Sequence, residues 1–198
     1  EELGVSWERL TVDREARQHK SAAYLALNPN GLIPVLLDGD LVVYETAAIV
    51  LHLADTHPQA GLLPDAHEKA AYFRWLFFAA GPLEQAVIGK AMGWEVPEGK
   101  TGMAGFGSLD LALDAIDGWL SANDFAAGSR FTMADTYVGS QFVWGLRFGS
   151  IPERPSFRAY VERITQRPAY AEANAIDAAV EATKKGAYSV QTKPVQPA

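Results

Sequence analysis

The stretch LNPNGLIPVLLDGDLVVYETAAIV, residues 27–50, decides the fold. Two apolar runs, Pro34–Leu37 and Leu41–Tyr44, surround Asp38-Gly39, a dipeptide that strongly favours a β-hairpin. The first run begins with a proline, which cannot donate to a ladder and therefore belongs at a sheet edge or in a special turn. The second run passes through Glu45-Thr46 into a helix with no loop between them. We therefore predict a hairpin followed directly by a helix whose N-terminus is capped by Thr46.

Residues 1–58 are predicted to form one small α/β domain around this hairpin. Its other predicted elements are a strand over Val5–Val12, a charged loop over Asp13–Lys20, a short helix over Ser21–Leu27 and, after the hairpin, a helix that ends near His57-Pro58. The short helix stops at Asn28-Pro29 because the residue before a proline avoids the α region.

The chain opens with EELG and has no initiator methionine. Glu1–Gly4 has the pattern of a helix end, with Gly4 as its C-cap. We therefore expect the natural protein to extend ahead of Glu1 by about 15–25 residues, enough for one strand and most of a helix.

The rest of the chain lacks strand signals and predicts an all-helical domain over residues 66–183. A linker with glycine and proline, residues 59–65, precedes this domain, and a tail, residues 184–198, follows it. The predicted helices are Ala66–Met92, one marked by Leu109, Leu113, Ile116 and Leu120, one that follows Thr132, and then Ser156–Gln166 and Ala169–Thr183, with a glycine-rich loop over Gly93–Gly107. Thr132 and Asp135 have the spacing of a capping box, with Asp in the Glu/Gln position.

Composition argues against several classes of function. The 198 residues carry a net charge of −7 and contain no cysteine. An acidic chain without a basic run is a poor candidate for binding nucleic acid or an anionic membrane surface. No apolar stretch approaches the ~18–20 residues that span a bilayer. The lack of cysteine excludes disulfides and thiolate metal sites from this sequence and suits a reducing compartment.

Three other candidate sites are rejected on their spacing. PEGKTG, residues 97–102, resembles a phosphate-binding loop, but the interval between Gly93 and Gly99 is too long by one residue and no strand precedes it. His52 and His57 do not share a helix face, and no carboxylate spacing completes a metal site. Helical spacing favours core packing over a cofactor site for four aromatic residues: Trp75, Phe77, Phe78 and Trp144.

The helix start at Glu45-Thr46 offers groups that suit a free amino-acid headgroup. Its unpaired N–H groups and the helix dipole favour an anion, Thr46 adds a hydroxyl donor, and Glu45 can accept from an ammonium group. If the Ile33–Pro34 bond is cis, the backbone of Ile33 faces outward and can pair with an extended peptide. Together these features suggest a short peptide ligand such as glutathione. The alternatives are a solvent-facing Glu45 with an ordinary threonine cap, and a plain edge proline.

These residues resemble a known family. NPNGLIPVLLDGDLVVYETAAIVLHLA, residues 28–54, is similar to the glutathione-site half of the cytosolic glutathione transferases, and FAAGSRFTMADTY, residues 125–137, is similar to the capping motif of their second domain. The resemblance implies an α/β thioredoxin-like domain with a cis-Pro34, followed by an all-α helical domain. It also implies that Ile33 contacts the cysteinyl backbone of glutathione and that Glu45 and Thr46 hold its γ-glutamyl group.

RQHKSAAYLALNPNGLIP, residues 17–34, is similar to the theta and delta classes of this family and their bacterial relatives. This similarity implies that His19 contacts glutathione near its glycyl carboxylate; the alternative is a solvated loop histidine. Leu32 departs from the pattern, because many relatives have a polar side chain there. The catalytic Ser, Tyr or Cys of the family follows the first strand, so we expect it ahead of Glu1, with Ser favoured by the theta-like motif.

The resemblance implies a transferase that joins the glutathione thiolate to a small hydrophobic electrophile, with glutathione as co-substrate and no metal. The electrophile pocket is expected between the domains, with Phe77, Phe78 and Trp94 as candidate lining residues. A cytoplasmic homodimer that acts in detoxification is expected, without nucleic-acid or membrane partners. Two alternatives stay open: another glutathione-dependent reaction, such as isomerisation, dehalogenation or disulfide-bond reduction, and a non-catalytic binding or assembly module of the same fold.

Overall fold

The computed structural model describes residues 1–188. In chain order its elements are a 3₁₀ turn Gln18–Lys20, α1 Ala22–Leu27, β1 Val35–Asp38, β2 Leu41–Tyr44, α2 Thr46–Thr56, a 3₁₀ turn Pro58–Ala60, α3 Lys69–Phe78, a π-helical turn Ala79–Leu83, α4 Glu84–Ala91, α5 Leu109–Leu120, α6 Met133–Phe148, α7 Pro155–Thr165 and α8 Pro168–Tyr188. The hairpin with α1 and α2 forms a small α/β unit, and α3 to α8 form an all-helical domain, as the sequence predicts.

The hairpin of β1 and β2 has the predicted antiparallel pairing. Val35 pairs with Tyr44 and Asp38 pairs with Leu41, so the two turn residues are Gly39 and Asp40. Gly39 has a φ of 58°, a left-handed conformation that glycine adopts at little cost. The turn therefore lies one residue later than the predicted Asp38-Gly39.

The predicted strand over Val5–Val12 was wrong. The sheet of the described structure contains only β1 and β2, and this segment pairs with neither of them. Trp7 and Leu10 are exposed. Alternating residues form a strand only where a neighbouring strand satisfies their backbone groups, and no such neighbour is present among the described residues. Glu1–Gly4 is a single turn, closed by a bond from the Gly4 amide to the Glu1 carbonyl at 2.9 Å.

Helix α2 joins the hairpin to the second domain. Its buried residues Val50 and Ala54 belong to the same hydrophobic cluster as Met133, Val138 and Phe142 of α6. Burial of a side chain such as Val50 contributes about 1.5–3 kcal/mol. The two domains therefore share one continuous core, and the position of α2 depends on both.

The predicted helix over residues 66–92 is interrupted by the π-helical turn Ala79–Leu83, which separates α3 from α4. Pro82 lies inside this turn and has no N–H group for an α-helical bond to the Phe78 carbonyl, so the ladder widens there. The proline signal that accounts for the break is present in the sequence.

The four aromatic residues at helical spacing have two different environments. Trp75 is buried, and Phe78 packs edge-on against it with ring centroids 5.2 Å apart. Phe77 and Trp144 are 60% and 53% exposed. Core packing was therefore the wrong prediction for these two, because helical spacing alone does not identify which face of α3 or α6 is covered. The residues that α3 buries are Tyr72, Trp75 and Leu76.

Helices α5, α6 and α7 form the centre of the second domain. As its periodicity predicts, α5 buries one face that includes Leu113, Ile116 and Leu120. Phe142 of α6 packs against Phe157 and Tyr160 of α7, with ring centroids 4.7 and 6.0 Å apart.

The capping box at the start of α6 is confirmed. Asp135 Oδ2 accepts from the Thr132 amide at 2.8 Å and from its hydroxyl at 3.0 Å. The other oxygen accepts from the Ala126 amide at 2.7 Å and from the Tyr160 hydroxyl at 2.8 Å. Burial raises the pKa of the Asp135 carboxyl above its usual range, although these four bonds favour the charged form.

Arg130 fastens the linker to the helical domain. Its guanidinium donates to the carbonyls of Gly61 and Leu63, each at 2.7 Å, and to both carboxylate oxygens of Glu68 at 3.0 and 2.6 Å. Glu68 is buried and also accepts from the Asp65 amide at 2.8 Å. Burial opposes ionisation of Glu68, but the bonds from Asp65 and Arg130 outweigh it and lower the pKa of this carboxyl.

Helix α8 continues to Tyr188, past the predicted helix end at Thr183. Of the predicted tail, residues 189–198 lie outside the described residues. Across residues 1–188, no helix has the length and apolar character needed to cross a membrane.

Candidate functional site

The hairpin register brings the two predicted halves of the site together. Val35 pairs with Tyr44, so Pro34 and Glu45, which flank this pair, lie at the same end of the hairpin. The Ile33–Pro34 bond is cis, as predicted. Neither the N–H nor the C=O of Ile33 has a hydrogen-bond partner within residues 1–188. An unpaired backbone segment therefore lies next to the start of α2.

The peptide ahead of Ile33 is held from two sides. The carbonyl of Leu32 accepts from the Tyr24 hydroxyl at 2.8 Å and from the Asn28 side-chain amide at 3.0 Å. Asn28 is only 1% exposed, and its carbonyl oxygen accepts from the Asn30 amide at 3.0 Å. These bonds fix the plane of the Leu32–Ile33 peptide and so fix the direction of the Ile33 N–H. Sequence reasoning missed this role of Tyr24 and Asn28, because residues 24 and 32 are brought together by the loop.

Lys20 and His19 pack against the same loop. Lys20 Nζ donates to the carbonyls of Asn30 and Gly31 at 3.0 and 2.9 Å. Gly31 has a φ of 60°, and a Cβ placed on it would lie 2.8 Å from the His19 carbonyl oxygen. Only glycine allows this close approach. The half-buried His19 is therefore adjacent to the turn that carries Leu32 and Ile33, and its contact with glutathione stays a prediction.

The start of α2 is open to solvent. Glu45 occupies the N-cap position with a φ of 73° and ψ of 118°, and its side chain does not cap the helix. Thr46 is the first helical residue, so the prediction that Thr46 itself caps the helix was wrong. Both side chains are exposed. The first intrahelical bond runs from the Ile49 amide to the Glu45 carbonyl at 2.9 Å, so the amides before Ile49 are free to bind an anion.

The second domain also approaches this helix start. Tyr137 of α6 is buried, and its hydroxyl donates to Glu84 Oε2 of α4 at 3.4 Å. Burial and then the negative charge of Glu84 raise the pKa of Tyr137 to about 12, with a smaller contribution from Glu45. Tyr137 lies on α6, which packs against α2. The sequence contains no local signal for the bond between Tyr137 and Glu84, because the two residues lie on separate helices.

The three residues predicted to line an electrophile pocket do not share one cavity. Phe77 and Trp94 are strongly exposed, and Phe78 is half-buried against Trp75. A cavity of about 320 Å³ lies between the domains, but none of these three aromatic residues lines it. Its walls include Val50 and Leu53 of α2, Met133 and Val143 of α6, and Tyr170 of α8. The assignment of Phe77, Phe78 and Trp94 to a pocket stays a prediction.

His52 and His57 make contacts within the first domain. His52 Nε2 lies 2.7 Å from Asp38 Oδ2, which links α2 to the end of β1. His57 Nδ1 lies 3.1 Å from the Leu53 carbonyl oxygen. Within the part of the chain that the structure describes, no group of three or more histidine or acidic side chains is arranged to hold a metal ion.

This combination of fold and site defines a class of protein: a thioredoxin-like domain with a cis-proline beside an open helix start, followed by a helical domain. Residues 1–55 match the family model described as glutathione S-transferase, N-terminal domain, and residues 85–168 match the model of its C-terminal domain. Glutathione S-transferase 3 of Zea mays is 31% identical over 184 residues, covering 85% of this chain and 82% of the maize protein. The chain therefore belongs to the glutathione S-transferase family.

Two solved structures agree with this assignment. A sphingomonad glutathione S-transferase complexed with glutathione is 29% identical, with a TM-score of 0.67 and 87% of each chain covered. A theta class glutathione S-transferase from Xanthomonas axonopodis pv. citri with glutathione bound is also 29% identical, with a TM-score of 0.59 and coverage of 78% of this chain and 77% of its own. The predicted family, its theta-like and bacterial relationship, the enzyme class and glutathione as co-substrate are confirmed.

Proposed function

We propose that this protein binds glutathione across Ile33, Glu45, Thr46 and His19 and joins its sulfur to a small hydrophobic electrophile. The observation that carries the proposal is the register of the hairpin. By pairing Val35 with Tyr44, it sets the unpaired backbone of Ile33 beside the open start of α2. A tripeptide with a free amino-acid headgroup matches these two features at once.

In this arrangement the cysteinyl part of glutathione runs alongside Ile33 and exchanges backbone hydrogen bonds with it, as an added strand does. The γ-glutamyl carboxylate lies on the free amides at the start of α2 and on the Thr46 hydroxyl, where the helix dipole favours an anion. The ammonium group of the same headgroup faces the Glu45 carboxylate. The glycyl end lies near His19.

The bound peptide supplies a nucleophilic sulfur. A free thiol of this type has a pKa of roughly 8.5, and the thiolate is the reactive form. The sulfur forms a bond to the electrophilic carbon, the leaving group departs with the electron pair, and the thiol proton passes to solvent or to a base. Ile33, Glu45, Thr46 and His19 contribute by positioning the tripeptide. Phe77, Phe78 and Trp94 are proposed to contact the electrophile.

A cytoplasmic homodimer remains part of the proposal. The homodimer is what the family resemblance implies, since most soluble oligomers are symmetric assemblies of identical subunits. The absence of cysteine from the sequence suits a reducing compartment. Light scattering of the purified full-length protein measures the subunit number directly, and a monomer would remove this part of the proposal.

Calorimetric titration of the full-length protein with glutathione, followed by an assay with a simple aryl halide, tests the main proposal. Saturable binding together with release of halide is the expected result. Binding without conjugation of any electrophile would support the non-catalytic module. Binding with isomerase, dehalogenase or disulfide-reductase activity would support a different glutathione-dependent reaction. A protein that does not bind glutathione would overturn the assignment of the site.

A further inference from the structure

We infer that this site does not select for the free glycyl carboxylate of glutathione, so that it also accepts the tripeptide with this carboxylate masked as an ester or an amide. The inference rests on the proposed function, which places the glycyl end near His19. It concerns the charge available at that end of the site, and three features of the loop there support it.

The first feature is that Lys20 is already engaged. Its ammonium group lies 3.0 Å from the Asn30 carbonyl oxygen and 2.9 Å from that of Gly31, so it holds the turn in place. Turning Lys20 toward a ligand would leave both carbonyls without this donor. Arg14 and Arg17 are the other cations between residues 13 and 34, and both are exposed. An exposed ion pair between either guanidinium and the glycyl carboxylate would change affinity by only about 1.5- to 5-fold.

The second feature is the apolar side chain next to this turn. Leu32 is 57% exposed, while its carbonyl is fixed by Tyr24 and Asn28. The backbone anchor keeps residue 32 in one place, so its side chain presents hydrocarbon where a longer polar residue would present a donor. A carboxylate beside Leu32 gains no hydrogen bond from it, whereas an ester alkyl group can pack on it.

The third feature is the orientation of His19. Its Nδ1 atom is buried and has no hydrogen-bond partner within the described residues, which leaves Nε2 as the ring nitrogen that a ligand can use. One ring N–H can donate to a carboxylate oxygen or to the carbonyl oxygen of an ester or amide. His19 can therefore orient the glycyl end without requiring that it be charged.

The experiment compares glutathione with its glycyl monoethyl ester by calorimetry at about 0.15 M salt. We expect dissociation constants that agree within about threefold for the two ligands. Binding of the ester more than about tenfold weaker would overturn the inference, since a factor of that size corresponds to a charge-dependent contact. A protein that binds neither ligand would instead contradict the proposed function itself.

Leu32→Lys, with Leu32→Gln as its matched neutral control, tests the cause. An exposed ion pair is worth about 0.2–1 kcal/mol. The lysine variant should therefore prefer glutathione over the ester by about 1.5- to 5-fold more than the parent does. The glutamine variant should retain the ratio of the parent. A lysine variant with an unchanged ratio, or a glutamine variant with the same gain, would overturn the placement of Leu32 beside the glycyl end.

Discussion

Helices α2 and α6 begin in opposite ways. The first amides of α6 lie beside a buried carboxylate, Asp135, which accepts four hydrogen bonds from Ala126, Thr132 and Tyr160. The first amides of α2 follow Glu45, whose exposed side chain does not cap the helix. Both helices have the same dipole at their start, and neither has α-helical partners for its first N–H groups. In α6, however, the Met133 amide donates to the Leu62 carbonyl at 2.9 Å. One start is closed by the protein, and the other is left available to a ligand.

This difference shows how one physical feature serves two purposes. At α6 the helix start is part of the core, because its capping side chain also joins α7 through Tyr160. At α2 the helix start lies at the end of a hairpin beside the unpaired backbone of Ile33. We therefore expect changes at α6 to alter the free energy of unfolding and changes at α2 to alter glutathione affinity.

The largest expected effect is that of Asp135→Ala. The substitution leaves the amides of Ala126 and Thr132 and the Tyr160 hydroxyl without an acceptor in a buried region. We expect the free energy of unfolding to fall by about 3–5 kcal/mol, measured by urea denaturation. Asp110→Ala is the matched control, because Asp110 is an exposed acid in the first turn of α5, and it should change stability by less than about 0.5 kcal/mol. Equal losses in the free energy of unfolding for the two substitutions would mean that the hydrogen bonds of Asp135 add no more stability than an exposed acid does.

Glu68→Gln should destabilise the protein by about 2–3 kcal/mol at pH 7, because it removes the charged partner of Arg130 from a buried position. The folded protein lowers the pKa of Glu68, so the contribution of its charge is present above the unfolded pKa of about 4.3 and is lost as the pH falls through the lower folded value. The stability difference between parent and variant should therefore shrink below about pH 4. Urea denaturation at a series of pH values measures this stability difference. A difference that stays constant down to pH 3 would mean that it does not come from the charge of Glu68.

Glu45→Gln should weaken glutathione binding by about 10- to 150-fold, the equivalent of a lost charge-assisted hydrogen bond of about 1.5–3 kcal/mol. The free energy of unfolding should be nearly unchanged, because Glu45 is exposed and its side chain makes no capping bond. Asp40→Asn, an exposed acid in the hairpin turn, controls for the general loss of one negative charge. Titration calorimetry measures the glutathione affinity of both variants. Equal affinities of the Glu45 and Asp40 variants would mean that Glu45 is a solvent-facing side chain without a role in binding.

Thr46→Ala is expected to have the smallest effect. It removes one neutral hydroxyl donor, worth about 0.5–1.5 kcal/mol, while the free amides of α2 remain. Glutathione affinity should fall by about 2- to 13-fold. Thr46→Ser keeps the hydroxyl and should retain most of the affinity of the parent. If the serine variant lost as much affinity as the alanine variant, the methyl group rather than the hydroxyl would be responsible.

Local patterns in the sequence predicted the parts of this protein whose physics is local. The strands on either side of the hairpin turn, the capping box at Thr132 and Asp135, and the apolar face of α5 all follow from residues close together in the chain. The cis bond at Pro34 was predicted from the family resemblance and not from local patterns. The resemblance of residues 28–54 and 125–137 to glutathione transferases connected these parts to a family. Backbone propensity, short-range hydrogen bonds and apolar periodicity favour these features without reference to distant parts of the chain.

Only the tertiary structure decided which of these elements pair and which of their side chains are buried. Val5–Val12 has the alternation of a strand but lacks a paired neighbour in the described structure, and Phe77 has helical spacing but lies on the uncovered side of α3. The anchoring of Leu32 by Tyr24 and Asn28, and the hydrogen bond from Tyr137 to Glu84, join residues from separate segments. A sequence pattern specifies an element and its apolar side, whereas pairing, burial and charge environment depend on which other element packs against it.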